Sequence, residues 1–598
     1  MQKFETPVNL VELFENGVRR FKDNPLFGLK NESKTELNWM TYGDVGLRVD
    51  NLRGGLVQKG IGKNDVVGFI GNNRPEWAIC AFATYGTGAR FVPMYEAELE
   101  STWEYIIKDS GVKLLMVSKP EIYEKVIKFT ETIPTLEHVF VIESNGENSM
   151  AELESSGKKN PVPSVNPEID DIATLIYTSG TTGDPKGVLL SHGNFTSNAV
   201  GGNRIFQDVL DENARSISIL PWAHSYGQTA ELNNWMLVGG SIGFMESVAT
   251  LGDDMALIKP TFMIAVPRVF NKIYDGLWTK MNETGGAAKA LFEMGVNSAK
   301  KKRELAAEGK SCVMVNLKVA LADKIVFKKI RGKFGGRLEG ALTASALMNV
   351  DISNFFTDIG IPVFDCYGLS ETSPAVSMNG FSAFKTGSVG RVIDGVKVVI
   401  DQSVVEEGRD DGEIVVYGPN VMQGYHNKPE ETWSTMTADG GFKTGDLGRI
   451  DEEGYLFITG RIKEQYKLQN GKYVFPGAIE EDIRLLPNVS NAMLSGEGKG
   501  YNVCLVIPDF KVLTQYAEQN GLPTDPKQLI ENEQVKNMMS AEITASLKNK
   551  YGGYEIPKKF IFIAEDFTIE NNMLTQTMKL KRRVVSDKYN QAMEELYK

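Results

Sequence analysis

Thr174–Gly187, TLIYTSGTTGDPKG, gathers hydroxyls, glycines and one cation into a single short stretch. A strand-forming run, Ile172–Tyr177, feeds a loop that closes at Lys186. Glycines let successive backbone N–H groups face a common hollow in which an anion can sit. Thr178, Ser179, Thr181 and Thr182 add hydroxyl donors around Gly180 and Gly183, and Lys186 adds positive charge. The guest that fits such a loop is a polyphosphate. It is not the phosphate loop G-x-x-x-x-G-K-[ST], because Asp184-Pro185 separates Gly183 from Lys186 and Gly187 follows the lysine. The plain alternative for a short Gly/Ser/Thr loop is a surface turn.

Further segments carry chemistry that belongs beside phosphates. Val363–Thr372, VFDCYGLSET, reads as a buried strand, a turn and then polar groups. An aromatic ring at Tyr367 can stack on adenine, and Glu371 is a hard oxygen ligand suited to Mg²⁺. Thr444–Gly448, TGDLG, sets Asp446 in a tight turn, where its carboxylate can accept from the two hydroxyls of a ribose. A solvent-facing turn aspartate is the alternative. Gly460-Arg461-Ile462-Lys463 follows it. His224 in Leu220–Gly227 is either a satisfied structural histidine or a substrate neighbour. Near the end, Leu574–Arg583 holds Lys579 and Lys581 in a basic run, which by itself reads as solvated charge.

The elements that must position these groups alternate. Strands are expected at Leu37–Tyr42, Asp65–Ile70, Arg90–Met94, Lys113–Val117 and His138–Ile142, and helices at Tyr42–Lys59 and Arg74–Tyr85. Asn9 with Glu12 reads as a capping box opening a helix, and Ser191–Asn194 as another helix start. Strand–helix alternation implies a parallel α/β sheet. Residues 143–170 are polar and contain proline, and read as a surface connection. Beyond 387 the chain becomes β-rich, with Gly412–Tyr417 a strand. From Gly471 a smaller α/β region begins, with strands at Asn491–Gly496, Asn502–Pro508 and Phe560–Ala564.

At 598 residues the chain needs two or more domains. A net charge of −12 argues against a general nucleic-acid binder. Four scattered cysteines without CxxC spacing argue against disulfides and a zinc site, and fit a reducing compartment. The N-terminus has no signal-peptide core, and no apolar run is long enough to span a bilayer. Lys318–Arg337 carries a helical pattern of lysines and arginines that reads as a solvated helix face. The alternative is docking on an anionic membrane surface.

The order Y-T-S-G-T-T-G-x-P-K-G, then YGxSET, Gly424-Tyr425, T-G-D, G-R-I-K and the basic C-terminal run resembles the adenylate-forming superfamily of acyl-CoA synthetases, luciferases and peptide-synthetase adenylation domains. Val266-Pro267-Arg268-Val269-Phe270 resembles the long-chain fatty acyl-CoA synthetase branch. Two departures stand out: Thr343–Ala346 replaces a Ser/Gly-rich segment, and Gln576 replaces a proline. The resemblance implies a large N-terminal domain of stacked α/β subdomains plus a β-rich subdomain, residues 1–462. A small mobile α/β lid, 463–598, follows a hinge at Lys463. It implies ATP, Mg²⁺ and CoA, with a fatty acid activated to acyl-AMP and passed to CoA. An acyl-AMP ligase serving a carrier protein and a non-catalytic nucleotide- or acyl-binding relative are the alternatives. By the same resemblance, Lys579 is the catalytic lysine, with Lys581 the other register. His224 abuts the substrate carboxylate and Trp222 walls the acyl pocket. Gly368, Ser370 and Thr372 join Tyr367 at the nucleotide, Thr178 joins Glu371 at the metal, and Arg461 reaches ribose or phosphate. The implied location is cytoplasmic, with peripheral contact at the inner face of a membrane as the open alternative.

Overall fold

The computed structural model describes residues 6–178, 185–548, 550–568, 571–575 and 580–598. The chain is mixed α/β and divides into two compact units. The larger comprises Met1–Val399, Val415–Thr444 and Ile450–Phe457; the smaller comprises Ile400–Ile414, Gly445–Arg449 and Ile458–Lys598. The strands Lys397–Asp401, Gly412–Tyr417, Phe442–Ile450 and Leu456–Arg461 each carry the chain from one unit into the other.

The larger unit is organised on a seven-stranded sheet in the order Gly424–Tyr425, Lys186–Ser191, Ile172–Thr178, Arg90–Met94, Val66–Ile70, Leu114–Val117, His138–Val141. The last five run parallel, and the first two pair antiparallel. Val66–Ile70 is apolar or glycine throughout and buried at every position, as a parallel strand covered on both faces requires. The parallel strands end together at Ile70, Met94, Val117 and Thr178, and this rim is where open α/β sheets place ligands.

A second sheet runs Phe262–Ala265, Gly340–Thr343, Val363–Gly368, Ala375–Met378, Arg391–Val392, its first three strands parallel. A third runs Leu37–Thr41, Pro25–Lys30, Ser241–Phe244, Arg215–Ser218. The helix His192–Phe206 is buried along most of its length. It starts where expected, and the start is a capping box: the Ser191 hydroxyl accepts from Asn194 N at 3.1 Å, and the Asn194 side chain accepts from Ser191 N at 2.8 Å. The first helix, Leu10–Arg20, departs from that pattern. Asn9 caps it, but the Glu12 carboxylate reaches back past Asn9 to Val8 N at 2.9 Å.

The segment 143–170 is not simply a surface connection. It contains a helix, Met150–Lys159, that packs on the helix Tyr42–Gln58. The two approach through glycines rather than through a wide apolar stripe. A Cβ on Gly157 would fall 1.8 Å from Asn51 O, and one on Gly55 would fall 2.3 Å from Leu153 O. A contact made backbone to backbone leaves little hydrophobic periodicity to read.

The smaller unit has its own core. Val489–Ser495 and Val503–Pro508 pair antiparallel, Lys559–Phe562 adds a parallel strand, and the helices Pro476–Arg484 and Glu533–Leu547 cover them. No helix among the described residues is long and apolar enough to cross a membrane. All four cysteines are free thiols, three of them buried.

Candidate active site

The loop that opens at Thr178 closes a β-hairpin. Ile172–Thr178 and Lys186–Ser191 pair antiparallel with Thr178 opposite Lys186 and Tyr177 opposite Gly187. A threonine hydroxyl and a lysine thus flank the mouth, while Ser179, Gly180, Thr181, Thr182 and Gly183 lie outside the described residues. The base is fixed from outside. The Tyr177 hydroxyl donates to Asp109 Oδ2 at 2.6 Å. A Cβ on Gly187 would crowd the Tyr177 ring at 3.0 Å, so glycine allows that packing.

Gly424–Tyr425 extends the sheet beside Lys186–Ser191 and brings in residues remote in sequence. The Lys186 ammonium pairs with Glu431 and lies 5.3 Å from the Tyr425 ring centroid. The Tyr425 hydroxyl donates to Glu371 Oε1 at 2.8 Å. Lys186 holds the Glu431 carboxyl below the ordinary glutamate range. Burial and the Glu371 charge push the Tyr425 phenol up, so it remains a donor at neutral pH. Glu431, near the start of the helix Pro429–Thr435, is absent from the sequence reading. Only the strand pairing at Tyr425 brings it to Lys186.

Tyr367 is buried near the end of the strand Val363–Gly368. Gly368 is required there, since a Cβ would fall 2.0 Å from Pro374 O. Ser370–Thr372 then makes a single 3₁₀ turn. The Thr372 side chain turns into the protein. It is fully buried, and its hydroxyl donates to Pro374 O at 2.5 Å and accepts from Leu369 N at 3.0 Å. It closes the turn that presents Glu371. The buried helix completes the support: Asn198 Nδ2 donates to Ala375 O at 2.8 Å, and Asn198 Oδ1 accepts from Ala375 N at 3.1 Å. Ser370 accepts from the Ser225 hydroxyl at 3.2 Å, which sets the His224 segment against this turn.

Asn73, just past the strand Val66–Ile70, holds that segment by donating to Leu220 O at 2.6 Å and accepting from Trp222 N at 2.8 Å. His224 is half-buried, and its Nδ1 accepts from Tyr226 N at 3.1 Å. Trp222 is not a pocket wall. It is fully buried among Phe27, Trp77 and Phe244, and its Nε1 donates to Glu231 Oε2 at 2.8 Å. Glu231 lies in the π-helical turn Gly227–Asn233 and also accepts from the Ser216 and Ser218 hydroxyls. Burial pushes its carboxyl up to about 8 against the pull of those donors.

In the smaller unit Asp446 is buried and accepts from Arg461 Nε at 2.6 Å. Asp446 lies within the strand Phe442–Ile450 rather than in the tight turn expected from TGDLG: Gly445 takes a left-handed φ of +72° inside that strand, and its N–H donates to the buried Glu413 at 2.9 Å. Lys463 is exposed in the turn after the strand Leu456–Arg461. Lys579 lies outside the described residues. Lys581 donates to Asn572 Oδ1 at 2.5 Å, immediately before the helix Arg582–Glu595, whose Arg582 pairs with the buried Glu480.

Among the described residues no cluster of three or more His, Cys, Asp or Glu side chains could hold a metal ion. Glu371 and Thr178 instead offer one carboxylate and one hydroxyl, linked through Lys186 and Tyr425. That donor set fits Mg²⁺, which takes one or two carboxylates and completes its shell with phosphate oxygens and water.

The AMP-binding enzyme family model matches residues 14–426. The chain is 30% identical over 560 residues to a long-chain-fatty-acid–CoA ligase of Mycobacterium bovis, covering 91% of this chain and 90% of the relative. It is 30% identical over 611 residues to the peroxisomal long chain acyl-CoA synthetase 7 of Arabidopsis thaliana, covering 98% and 85%. Among solved structures, the adenylation domain of a carboxylate reductase from Mycobacterium chelonae superposes with a TM-score of 0.79 at 21% identity, covering 99% of this chain and 92% of that one, and so shares its fold. With the family match spanning most of the larger unit and these relatives aligned along nearly the whole length, the chain belongs to the family of AMP-binding enzymes.

Proposed function

We propose that the protein is an ATP-dependent long-chain fatty acid–CoA ligase that forms acyl-AMP and pyrophosphate, then acyl-CoA and AMP. The observation that carries this reading is the Lys186–Tyr425–Glu371 arrangement at the hairpin mouth, in a chain 30% identical to a long-chain-fatty-acid–CoA ligase.

The chemistry is governed by charge. A fatty carboxylate is already ionised at neutral pH and needs no general base, but it is repelled by the triphosphate it must attack. Lys186 and the hairpin-loop N–H groups draw off charge from the phosphates. Glu371 and Thr178 would hold Mg²⁺, which when bound offsets more of that charge. Tyr367 stacks on adenine, with Gly368 and Ser370 beside it. Asp446 accepts from the ribose hydroxyls and Arg461 orients Asp446. His224 abuts the substrate carboxylate, and Lys579 supplies the last cation. An acyl oxygen bonds the α-phosphorus as the bond to the pyrophosphate oxygen breaks. The part beyond Lys463 then rotates, the CoA thiol sulfur attacks the acyl carbon, the thiol proton is lost to solvent and AMP leaves.

The test is pyrophosphate release across straight-chain acids from acetate to palmitate, with CoA and a phosphopantetheinyl carrier protein as competing acceptors. Catalytic efficiency should rise about fourfold for each methylene that enters the pocket, from about 0.8 kcal/mol of apolar burial each, and the product should be acyl-CoA. Equal rates with acetate and palmitate, or transfer only to the carrier, would contradict the proposal.

A further inference from the structure

Residues 266–339 connect two strands that lie side by side and parallel, Phe262–Ala265 and Gly340–Thr343. A parallel crossover needs only about a dozen residues. This connection instead builds a set of helices: Pro267–Thr284, Gly286–Ala307, Val313–Ala322, a π-helical turn Asp323–Phe327, and Lys328–Lys333. The stretch 313–333 packs inward through Ala322, Phe327 and Ile330, all buried. Gly295 of the neighbouring helix meets it so closely that a Cβ would fall 2.6 Å from Ala322 Cβ and 2.9 Å from the Phe327 ring. The core therefore takes its share of apolar side chains from one face only.

The opposite face is apolar too. Val313, Met314, Leu317, Leu321 and Ile325 are 75%, 61%, 60%, 48% and 40% exposed. Their spacing of three and four residues sets them on one side of the helix, with Ile325 continuing the line through the π-helical turn. Scattered exposed leucines are ordinary, but a contiguous stripe marks a contact surface. Its surroundings are cationic: 313–333 carries Lys318, Lys324, Lys328, Lys329, Arg331 and Lys333 against a single acid, Asp323, in a chain of net charge −12. Asp323 is paired with Arg331 at 2.7 Å, so it leaves the lysines' field largely uncancelled. Lys280 beside Lys333 depresses that lysine's pKa, a further mark of crowded positive charge.

We propose that Val313–Lys333 is a docking element for an anionic phospholipid bilayer, its apolar stripe entering the acyl boundary and its lysines meeting lipid phosphates and carboxylates. An amphipathic helix with basic flanks lies in the membrane plane by this combination of apolar burial and charge. A second copy of the chain would satisfy the apolar stripe but would set lysine against lysine. The inference does not depend on which acid the active site takes.

The test uses the full-length protein and sedimentation of sucrose-loaded vesicles, made either of phosphatidylcholine alone or of phosphatidylcholine with phosphatidylserine. Two double variants are compared, Leu317→Ser with Leu321→Ser and Lys324→Glu with Lys328→Glu, each required to keep the parent melting profile. Wild type should pellet with the anionic vesicles at low salt, stay largely in the supernatant with neutral ones, and be released by high salt. The lysine variant should lower partitioning by about thirtyfold or more, since each of its two lysines near the surface is worth roughly 1 kcal/mol, and the leucine variant should lower it by at least about fivefold through lost apolar burial. Wild type remaining in the supernatant with anionic vesicles, or both variants pelleting as well as wild type, would overturn the proposal. So would sedimentation velocity showing a dimer that the leucine variant dissociates while vesicle binding is absent.

Discussion

Lys186 is held by Glu431 and by the Tyr425 ring, so its ammonium is positioned by groups the hairpin itself does not contain. Tyr425 does the same for Glu371. Replacing Tyr425 with Phe keeps the ring under Lys186 but removes the bond to the carboxylate. Loss of a hydrogen bond to a charged group is worth about 1.5–3 kcal/mol, so ATP-dependent pyrophosphate release should fall about tenfold to a hundredfold, with a raised Mg²⁺ requirement. Titration of rate against Mg²⁺ checks this; an unchanged curve would show that the bond is incidental. Lys579→Ala should abolish acyl-AMP formation while sparing thioester formation from supplied acyl-AMP, and Lys581→Ala should spare both. The reverse pattern would move the catalytic role to Lys581. At this scale the sequence was partly transparent. Thr178 and Lys186 flank the hairpin mouth because glycines and hydroxyls announce such loops. Glu431 was hidden, because a lone glutamate on a short helix carries no signal until a strand pairing brings it to a lysine. The bonds of Trp222 to Glu231 and of Thr372 to Pro374 are hidden for a related reason, since spacing does not reveal them.

The helix His192–Phe206 shows what elements do for the site. Asn198 satisfies the backbone of Ala375, just past the turn that presents Glu371. Asn198→Ala should orphan the buried Ala375 N–H and cost about 1–3 kcal/mol. Denaturant unfolding would measure the loss, and a midpoint within error of wild type would contradict the role. The π-helical turn Gly227–Asn233 sets Glu231 in the core with a carboxyl pushed up to about 8. In the unfolded chain it titrates near 4.5. Between those values the folded state holds the proton that the unfolded state has released, so stability from this group is fully present below about pH 4.5 and is lost as pH rises toward 8. Glu231→Gln should remove that dependence, so the variant gains on wild type across this window with a slope approaching about 1.4 kcal/mol per pH unit. Parallel stability–pH profiles would contradict it. Elements made of short, mostly apolar runs are legible: Val66–Ile70, Arg90–Met94 and Leu114–Val117 lie within or at the edges of the strands expected from sequence. Met150–Lys159 was not, because its packing is written in glycines rather than in an apolar stripe.

The whole molecule has two compact units, with the hairpin, Tyr367 and Glu371 in the larger and Asp446, Arg461 and Lys463 in the smaller. A ligase that must first adenylate and then transfer to a thiol has reason to separate these groups, since the two steps need different neighbours around one acyl group. Lys463→Pro would restrict φ at the proposed pivot. Acyl-AMP formation should persist while acyl-CoA output falls, as single-turnover and steady-state assays would report. Equal thioester output would place the pivot elsewhere. The resemblance puts a single boundary at Lys463, whereas the smaller unit also takes in Ile400–Ile414 and Gly445–Arg449. That the chain passes between the units several times within the strands 397–461 is not legible in the sequence, since a strand reads the same whichever unit its ends join.

The central claim is that this cradle activates a carboxylate at the α-phosphorus of ATP. The most direct measurement is incubation with α-³²P-labelled ATP, Mg²⁺ and palmitate in the absence of CoA. Labelled palmitoyl-AMP should accumulate to about one equivalent of enzyme and convert to labelled AMP on addition of CoA. No adduct with palmitate or any shorter acid, from folded protein that binds ATP, would contradict the account.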